Sequence, residues 1–552
     1  MSVKKGYCKY PAMCLLLGAA LALALALGTA GCGPKAGPGQ APPAQQEQGG
    51  GQSPAPPAPQ PLPEKTAEIL GIKVTAGGGT VRGGTIHLAS FDLGQGASDY
   101  TPAAAIFSPD GRWIAFRGRQ ERPDGRTAGL WVMALDGSGG RLLARAGEKE
   151  LTGGTLLLQL LGWTRDNQVV FARQGTQPDG AHQGQRGISL RTAAPDQGEA
   201  TEVAWLPVPE GMVRQVQLLP GPERVFIQAA RALWRVDVAD GKKTLLKDKT
   251  PSYDGFFYPR LSPAGDSCVY ELWEPDQKGI FLLSLETGRE KALALNGENW
   301  NFLPRYSPDG SHLAYYAAPL KPGQKAGRFA GDYDIVPAED GPAPVAEAVE
   351  IVTPDGQRVA RLTVPGAKAA NFRWGADGQR LVFAAGKVKD SPAGQAGAWE
   401  PAAMEWQSLW AADLRGKMTK IADLPPDATY ITPLNVGPDG RQVYYMVSRQ
   451  DKCSLWVVRE GEKPVEVASA VDYWDDLFPA SGCTDGFFLA RGEGGEEEIF
   501  RVQGDRAAQI TADGGQKTVL GVNGGRLAYI REDQPGKGSR LVVLSCGPDI
   551  KD

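Results

Sequence analysis

Short runs of alternating apolar residues punctuate the chain, each just after a polar turn: 113–116 (WIAF), 312–316 (HLAYY), 380–385 (RLVFAA) and 442–447 (QVYYMV). Their length, their alternation and their β-branched and aromatic content predict strands. The turn ahead of each run is a repeated phrase. Clear copies stand at 107–111 (FSPDG), 163–167 (WTRDN), 261–265 (LSPAG), 306–310 (YSPDG), 374–378 (WGADG) and 436–440 (VGPDG). Weaker copies stand at 219–227, 483–490 and 522–530, and the spacing runs from roughly 40 to 70 residues. In this phrase Pro sets φ at the first turn position, Ser or Asp closes the turn through its side chain, and Gly takes the position whose φ other residues resist.

Most copies run on into a third strand and a second turn, as in LWVMALDGSGGRLL (130–143), LWRVDVADGKKTLL (233–246), IFLLSLETGREKAL (280–293) and LWAADLRGKMTKIA (409–422). The predicted unit is therefore four antiparallel strands joined by tight turns. A lone sheet of this kind has two apolar faces and cannot bury both. Radial stacking buries each face against a neighbour and limits exposed edges.

The Ser-Pro-Asp-Gly turn between the first two strands of each unit resembles the WD40-like (PD40) repeat of the TolB type. The resemblance covers about residues 78–550 and implies an all-β propeller of four-stranded antiparallel blades. Nine turn copies, three of them degraded, lead to an expected count of eight blades within a range of seven to nine. The run 85–93 (TIHLASFDL) precedes the first copy, and the last copy ends at 541–546 (LVVLSC) one strand short, so the N-terminal strand is expected to complete the last blade. Insertions near 318–347 and 386–405, rich in Pro, Ala and Gly, are expected to be surface loops. TolB carries a small α/β domain ahead of its propeller. Here a different segment stands in that place, so a Tol-system role does not follow from the repeat.

That segment changes the expected location. Lys4, Lys5 and Lys9 form a positive region, followed by 14 apolar residues at 14–27 and by Gly28-Thr29-Ala30-Gly31-Cys32. This predicts a signal peptide over 1–31. The small residues before Cys32 resemble a bacterial lipobox, with Thr29 where Leu is usual, and imply lipidation at Cys32. Residues 32–65 follow as a tether of Gly, Pro, Ala and Gln with almost no large apolar side chain. Such a stretch buries no core and reaches about 30 Å or more. The organisation expected is 1–31 signal, 32–65 lipidated Cys and tether, and 66–552 propeller, anchored at the extracytoplasmic face of a membrane.

Net charge is −4 over 552 residues, which gives no electrostatic case for nucleic acid. Beyond Cys8, Cys14 and Cys32, the cysteines are Cys268, Cys453, Cys483 and Cys546, whose pairing is left open. There is no CxxC, GxSxG, HExxH or P-loop, and the three histidines, His87, His182 and His312, are scattered. The acidic stretch from Asp332 to Asp340 lacks EF-hand spacing and is read as a solvated loop, and Glu496-Glu497-Glu498 as a solvated turn. No catalytic set, metal or cofactor is expected.

Two patterns point to recognition instead. The lead-ins to the first strands, at 98–102, 253–259, 299–304, 427–433 and 472–479, combine aromatics with Asp, Asn or Thr before a Pro. In a propeller these segments gather around the mouth of the central channel. Tyr100, Tyr253, Trp300, Tyr430, Tyr473 and Trp474 would ring one face with Asp99, Asp254, Asp475 and Asp476 between them, or else pack between blades. Arg260, Arg305 and Arg373 each stand two residues before the first residue of the turn in consecutive clear copies. That register predicts an arc of guanidinium groups on adjacent innermost strands, suited to a carboxylate or to bridging between blades. The function expected is a protein- or peptide-binding or scaffolding module at the cell envelope. The alternative is a propeller hydrolase or lyase on envelope glycan or peptide, with Asp254, Asp475 and Asp476 in acid and base roles.

Overall fold

The computed structural model describes the chain between Lys65 and Ser545, apart from 70–71, 77–84, 93–104, 135–140, 147–156, 198–199, 209–212, 249–255, 274–277, 321–327, 337–345, 389–403, 472–477, 480–485, 492–496, 533–538 and a few breaks of one to three residues between strands. Among the described residues every regular element is a strand. Nine antiparallel ladders of four strands account for nearly all of them. Five form sheets of their own, an eight-stranded sheet holds two, and a ten-stranded sheet holds two more with the N-terminal hairpin Lys65–Ile69 and Ile72–Ala76. The chain is thus an all-β, multi-blade propeller. Nine blades is one more than the eight expected, because each degraded turn copy still builds a full ladder.

The first, innermost strands are Ala105–Phe107, Leu157–Trp163, Val213–Leu218, Phe256–Leu261, Asn299–Tyr306, Lys368–Trp374, Tyr430–Val436, Phe478–Pro479 and Gln516–Asn523, in blades one to nine. Innermost strands of successive blades touch at several junctions, and that of blade nine touches that of blade one. Thr85–Asp92 pairs with Ser539–Ser545 and completes blade nine, as the sequence predicts. Its end also meets Trp113–Arg122 of blade one through Phe91 and Asp92.

The core lies between blades rather than within one layer. The apolar clusters join blades one and two (Val132, Leu160, Phe171), two and three (Ile188, Val216, Ile227), three and four (Phe226, Tyr270, Phe281), four and five (Val269, Leu313, Val352), five and six (Phe302, Tyr316, Phe383), six and seven (Trp406, Ile431, Tyr445), and seven and eight (Tyr444, Leu455, Val502). Alternation explains the arrangement: Cys268, Tyr270 and Leu272 face blade three while Val269, on the same strand, faces blade five. Each large apolar side chain buried this way stabilises the ring by about 1.5–3 kcal/mol.

The turns hold the geometry expected of them. Ser108 Oγ donates to Asp110 Oδ1 at 2.6 Å and Ser307 Oγ to Asp309 Oδ1 at 2.5 Å. Gly111, Gly265, Gly310, Gly378 and Gly440 all have φ between 66° and 74°, and Asn167 takes the same position at 57°. Of the two insertions, Arg328–Ala330 and Asp334–Val336 pair as a small hairpin, and 389–403 lies outside the described residues.

Candidate functional site on the inner strands

The inner strands of blades four to seven share a feature that re-aims their side chains. Each carries a register break, between Phe257 and Arg260, Phe302 and Arg305, Ala370 and Arg373, and Pro433 and Asn435. Such bulges bend the strand and are frequent beside sites. In blades five and six the bulge contains a non-glycine residue at positive φ, Leu303 and Asn371, both at 52°. A leucine there is strained, and strain persists only where the surroundings impose it. For Leu303 that constraint is Glu271 of blade four, a carboxylate only 1% exposed, whose Oε1 accepts the Leu303 N–H at 2.7 Å. For Asn371 it is the side chain, which donates through Nδ2 to the carbonyl of Ile431 in blade seven at 2.5 Å.

Directly after these bulges stand Arg260, Arg305 and Arg373, opposite Val269, Ala314 and Val382 on the second strand. All three are half-buried. Each of the two whose contacts are resolved leans toward the following blade. The Arg305 guanidinium lies 5.9 Å from the Phe372 ring centroid, and Arg373 Nε donates to the Pro433 carbonyl at 3.2 Å. The rest of the Arg373 guanidinium makes no hydrogen bond among the described residues. Arg260 shares its face of blade four with Glu271, two positions along from Val269.

The next residue along points the other way. Trp163 Nε1 donates to the Ile106 carbonyl of blade one at 2.9 Å, and Trp374 Nε1 to the Arg305 carbonyl at 3.4 Å. Tyr306 donates to Ser267 Oγ at 3.0 Å. An aromatic just before the turn thus fastens each of these blades to the one behind it, while in blades five and six the arginine before it reaches forward.

Trp300 is fully buried and stacks on Phe302 with centroids 4.3 Å apart. Phe302 meets Tyr316, which meets Phe372 edge-on at 4.7 Å and accepts the Phe372 N–H at its hydroxyl oxygen at 3.0 Å. Trp300 therefore begins an aromatic row that ends under Arg305 and offers no surface of its own. Tyr430 opens the inner strand of blade seven. Cys32, the tether, Tyr100, Tyr253, Asp254, Tyr473, Trp474, Asp475 and Asp476 lie outside the described residues.

Other groups named from sequence serve the framework. His182 stacks on Trp205 at 4.5 Å and sits 3.2 Å from Glu202, and His312 Nδ1 is 2.7 Å from Ser311 Oγ inside a turn. Cys268 is a free, buried thiol whose pKa burial pushes up. The reading of Glu498 as solvated is corrected. It is 4% exposed, its Oε2 lies 2.9 Å from the buried Lys517 ammonium of blade nine, and Thr511 Oγ1 donates to it at 2.5 Å. Among the described residues no group of His, Cys, Asp and Glu is placed to hold a metal ion. Glu271 and the strained bulges were not found from sequence, since a lone Glu within SCVYELW carries no signal of burial.

No family model matches the chain, and no curated protein matches it. Solved structures do. Porphyromonas gingivalis dipeptidyl peptidase 4 aligns at 11% identity over 80% of this chain and 56% of its own, with a TM-score of 0.42. A eukaryotic initiation factor aligns at 12% over 77% and 92%, with a TM-score of 0.41, and an oligogalacturonate lyase in complex with manganese at 12% over 72% and 98%, with a TM-score of 0.32. The chain spans about half the length of the peptidase. At these identities nothing about activity passes from those proteins to this one.

Proposed function

We propose that this protein is a binding or scaffolding module of the cell envelope, held at the extracytoplasmic face by a lipid on Cys32 and engaging a protein or peptide through the inner-strand face of blades three to seven. The observation that carries the reading is the repeated placement of Arg260, Arg305 and Arg373, half-exposed at one register and directly after a bulge in three successive blades. Recognition surfaces concentrate their energy in a few such anchored groups. The rim residues Tyr100, Tyr253, Asp254, Tyr430, Tyr473, Trp474, Asp475 and Asp476 extend the same face in this reading.

Affinity capture from envelope extract tests it, with the full-length chain beside an Arg260→Gln, Arg305→Gln, Arg373→Gln variant and a Tyr253→Ala, Trp474→Ala variant. A partner held by the parent and lost from the arginine variant supports the inner-strand face, and loss from the second variant extends it to the rim. Equal capture by all three would move the site elsewhere on the ring.

A further inference from the structure

The turns give a common register for blades one to seven, because the first turn residue donates its N–H to a carbonyl four or five residues on: Ser108, Thr164, Leu219, Ser262, Ser307, Gly375 and Gly437. The residues two before these are Ile106, Gly162, Gln217, Arg260, Arg305, Arg373 and Asn435. Blades one and two place no polar side chain there. Blades three to six place four in succession, and all four are half-buried.

Each of the four is disposed to donate. Arginine has no acceptor at all. Gln217 carries both functions: its amide oxygen accepts from Gln215 Nε2 at 2.8 Å, and its NH2 group adds two donors. The surrounding charge has the same sign. The two innermost strands of blades three to six hold Arg214, Arg224, Arg260, Arg305, Lys368, Arg373, Arg380 and Lys387, against Glu271 as the sole acid. Arg224, Lys368 and Arg380 pair with Glu286, Glu347 and Glu460, which stand just outside neighbouring strands. A chain of net charge −4 thus concentrates positive charge and donors along one inner arc.

We infer that Gln217, Arg260, Arg305 and Arg373 form a donor arc that takes a ligand carrying more than one carboxylate, such as an acidic peptide segment. This rests on the binding reading above and names its chemistry. Carboxylates match guanidinium forks in geometry as well as in charge, which a neutral ligand does not. Successive blades present successive donors, so two or more carboxylates along one ligand would be met in turn. The aromatic row from Trp300 to Phe372 fixes the platform on which Arg305 lies.

Fluorescence anisotropy of a fluorescein-labelled hexaglutamate peptide, titrated with the full-length chain in detergent, tests the inference. Hexaserine and hexalysine serve as controls. The expected result is saturable binding of hexaglutamate alone, weakened by salt. An Arg305→Gln, Arg373→Gln variant with an unchanged thermal melt weakens it at least tenfold. Arg415→Gln, on an exposed outer turn of blade six, leaves it within twofold. No hexaglutamate binding, or equal weakening by Arg415→Gln, overturns the arc as a carboxylate site. If the envelope partner is still captured in an arginine-dependent way after such a result, the ligand class fails and the binding reading stands. If that capture fails too, both fall.

Discussion

Gly265 holds φ at 70°, and a Cβ there would lie 2.4 Å from the carbonyl oxygen of Pro220 in the preceding blade. Gly461 has φ of 87° with open space around it. Gly461→Ala therefore meets backbone strain alone, about 1 kcal/mol, whereas Gly265→Ala meets strain and a clash with backbone, about 3 kcal/mol or more. Urea unfolding of the two variants separates these costs. Asp309 carries a pH dependence. Its partial burial acts to raise its pKa, but hydrogen bonds from Ser307 and Ser311 outweigh this and hold it below the usual carboxylate range. A depressed folded-state pKa contributes stability above the unfolded value and loses it as pH falls through the folded one. Stability should thus decline as pH drops below about 4, with a smaller decline in Asp309→Asn, measured by denaturant midpoints across that range. The turn residues were legible because Ser, Pro, Asp and Gly each act locally. Trp300 was not: the same aromatic spacing serves a channel mouth or an inter-blade core, and only the neighbouring blade decides.

Between elements, the junctions are held by repeated devices whose register is visible and whose partners are not. Trp163 fastens blade two to blade one through a single indole bond. Trp163→Phe removes that bond and part of the buried ring and should cost about 2 kcal/mol in thermal or urea unfolding. The junction of blades eight and nine uses a buried ion pair instead, Lys517 with Glu498. Lys517→Met takes the cation away from a buried carboxylate and should destabilise by about 3–5 kcal/mol, while adding Glu498→Leu should recover much of the loss. Equal destabilisation by the single and double variants would show that packing volume, not charge, governs this junction. Sequence misplaced Glu498 because three adjacent glutamates read as solvated, and Lys517 stands in a different blade 19 residues further on. The arginine register, by contrast, was readable, since it is fixed by distance from a turn that the sequence marks.

At the scale of the ring, closure depends on Thr85–Asp92, which completes blade nine and touches blade one. Deleting 65–92 should lower the melting temperature and raise amide exchange first in Ser539–Ser545, leaving blades four to six protected. Uniform exchange across all blades would show that the ring unfolds as one unit. The architecture was legible because nine turn copies recur along the chain. The proposed binding face was legible only where a side chain keeps a fixed distance from the turn. The most direct test of that face is photocrosslinking in cells, with a benzophenone side chain at Gln217 on the inner strand of blade three or at Leu295, 59% exposed on the outer strand of blade four. The account predicts a discrete crosslinked partner from position 217 and none from 295. A partner from 295 alone would contradict the inner-strand face.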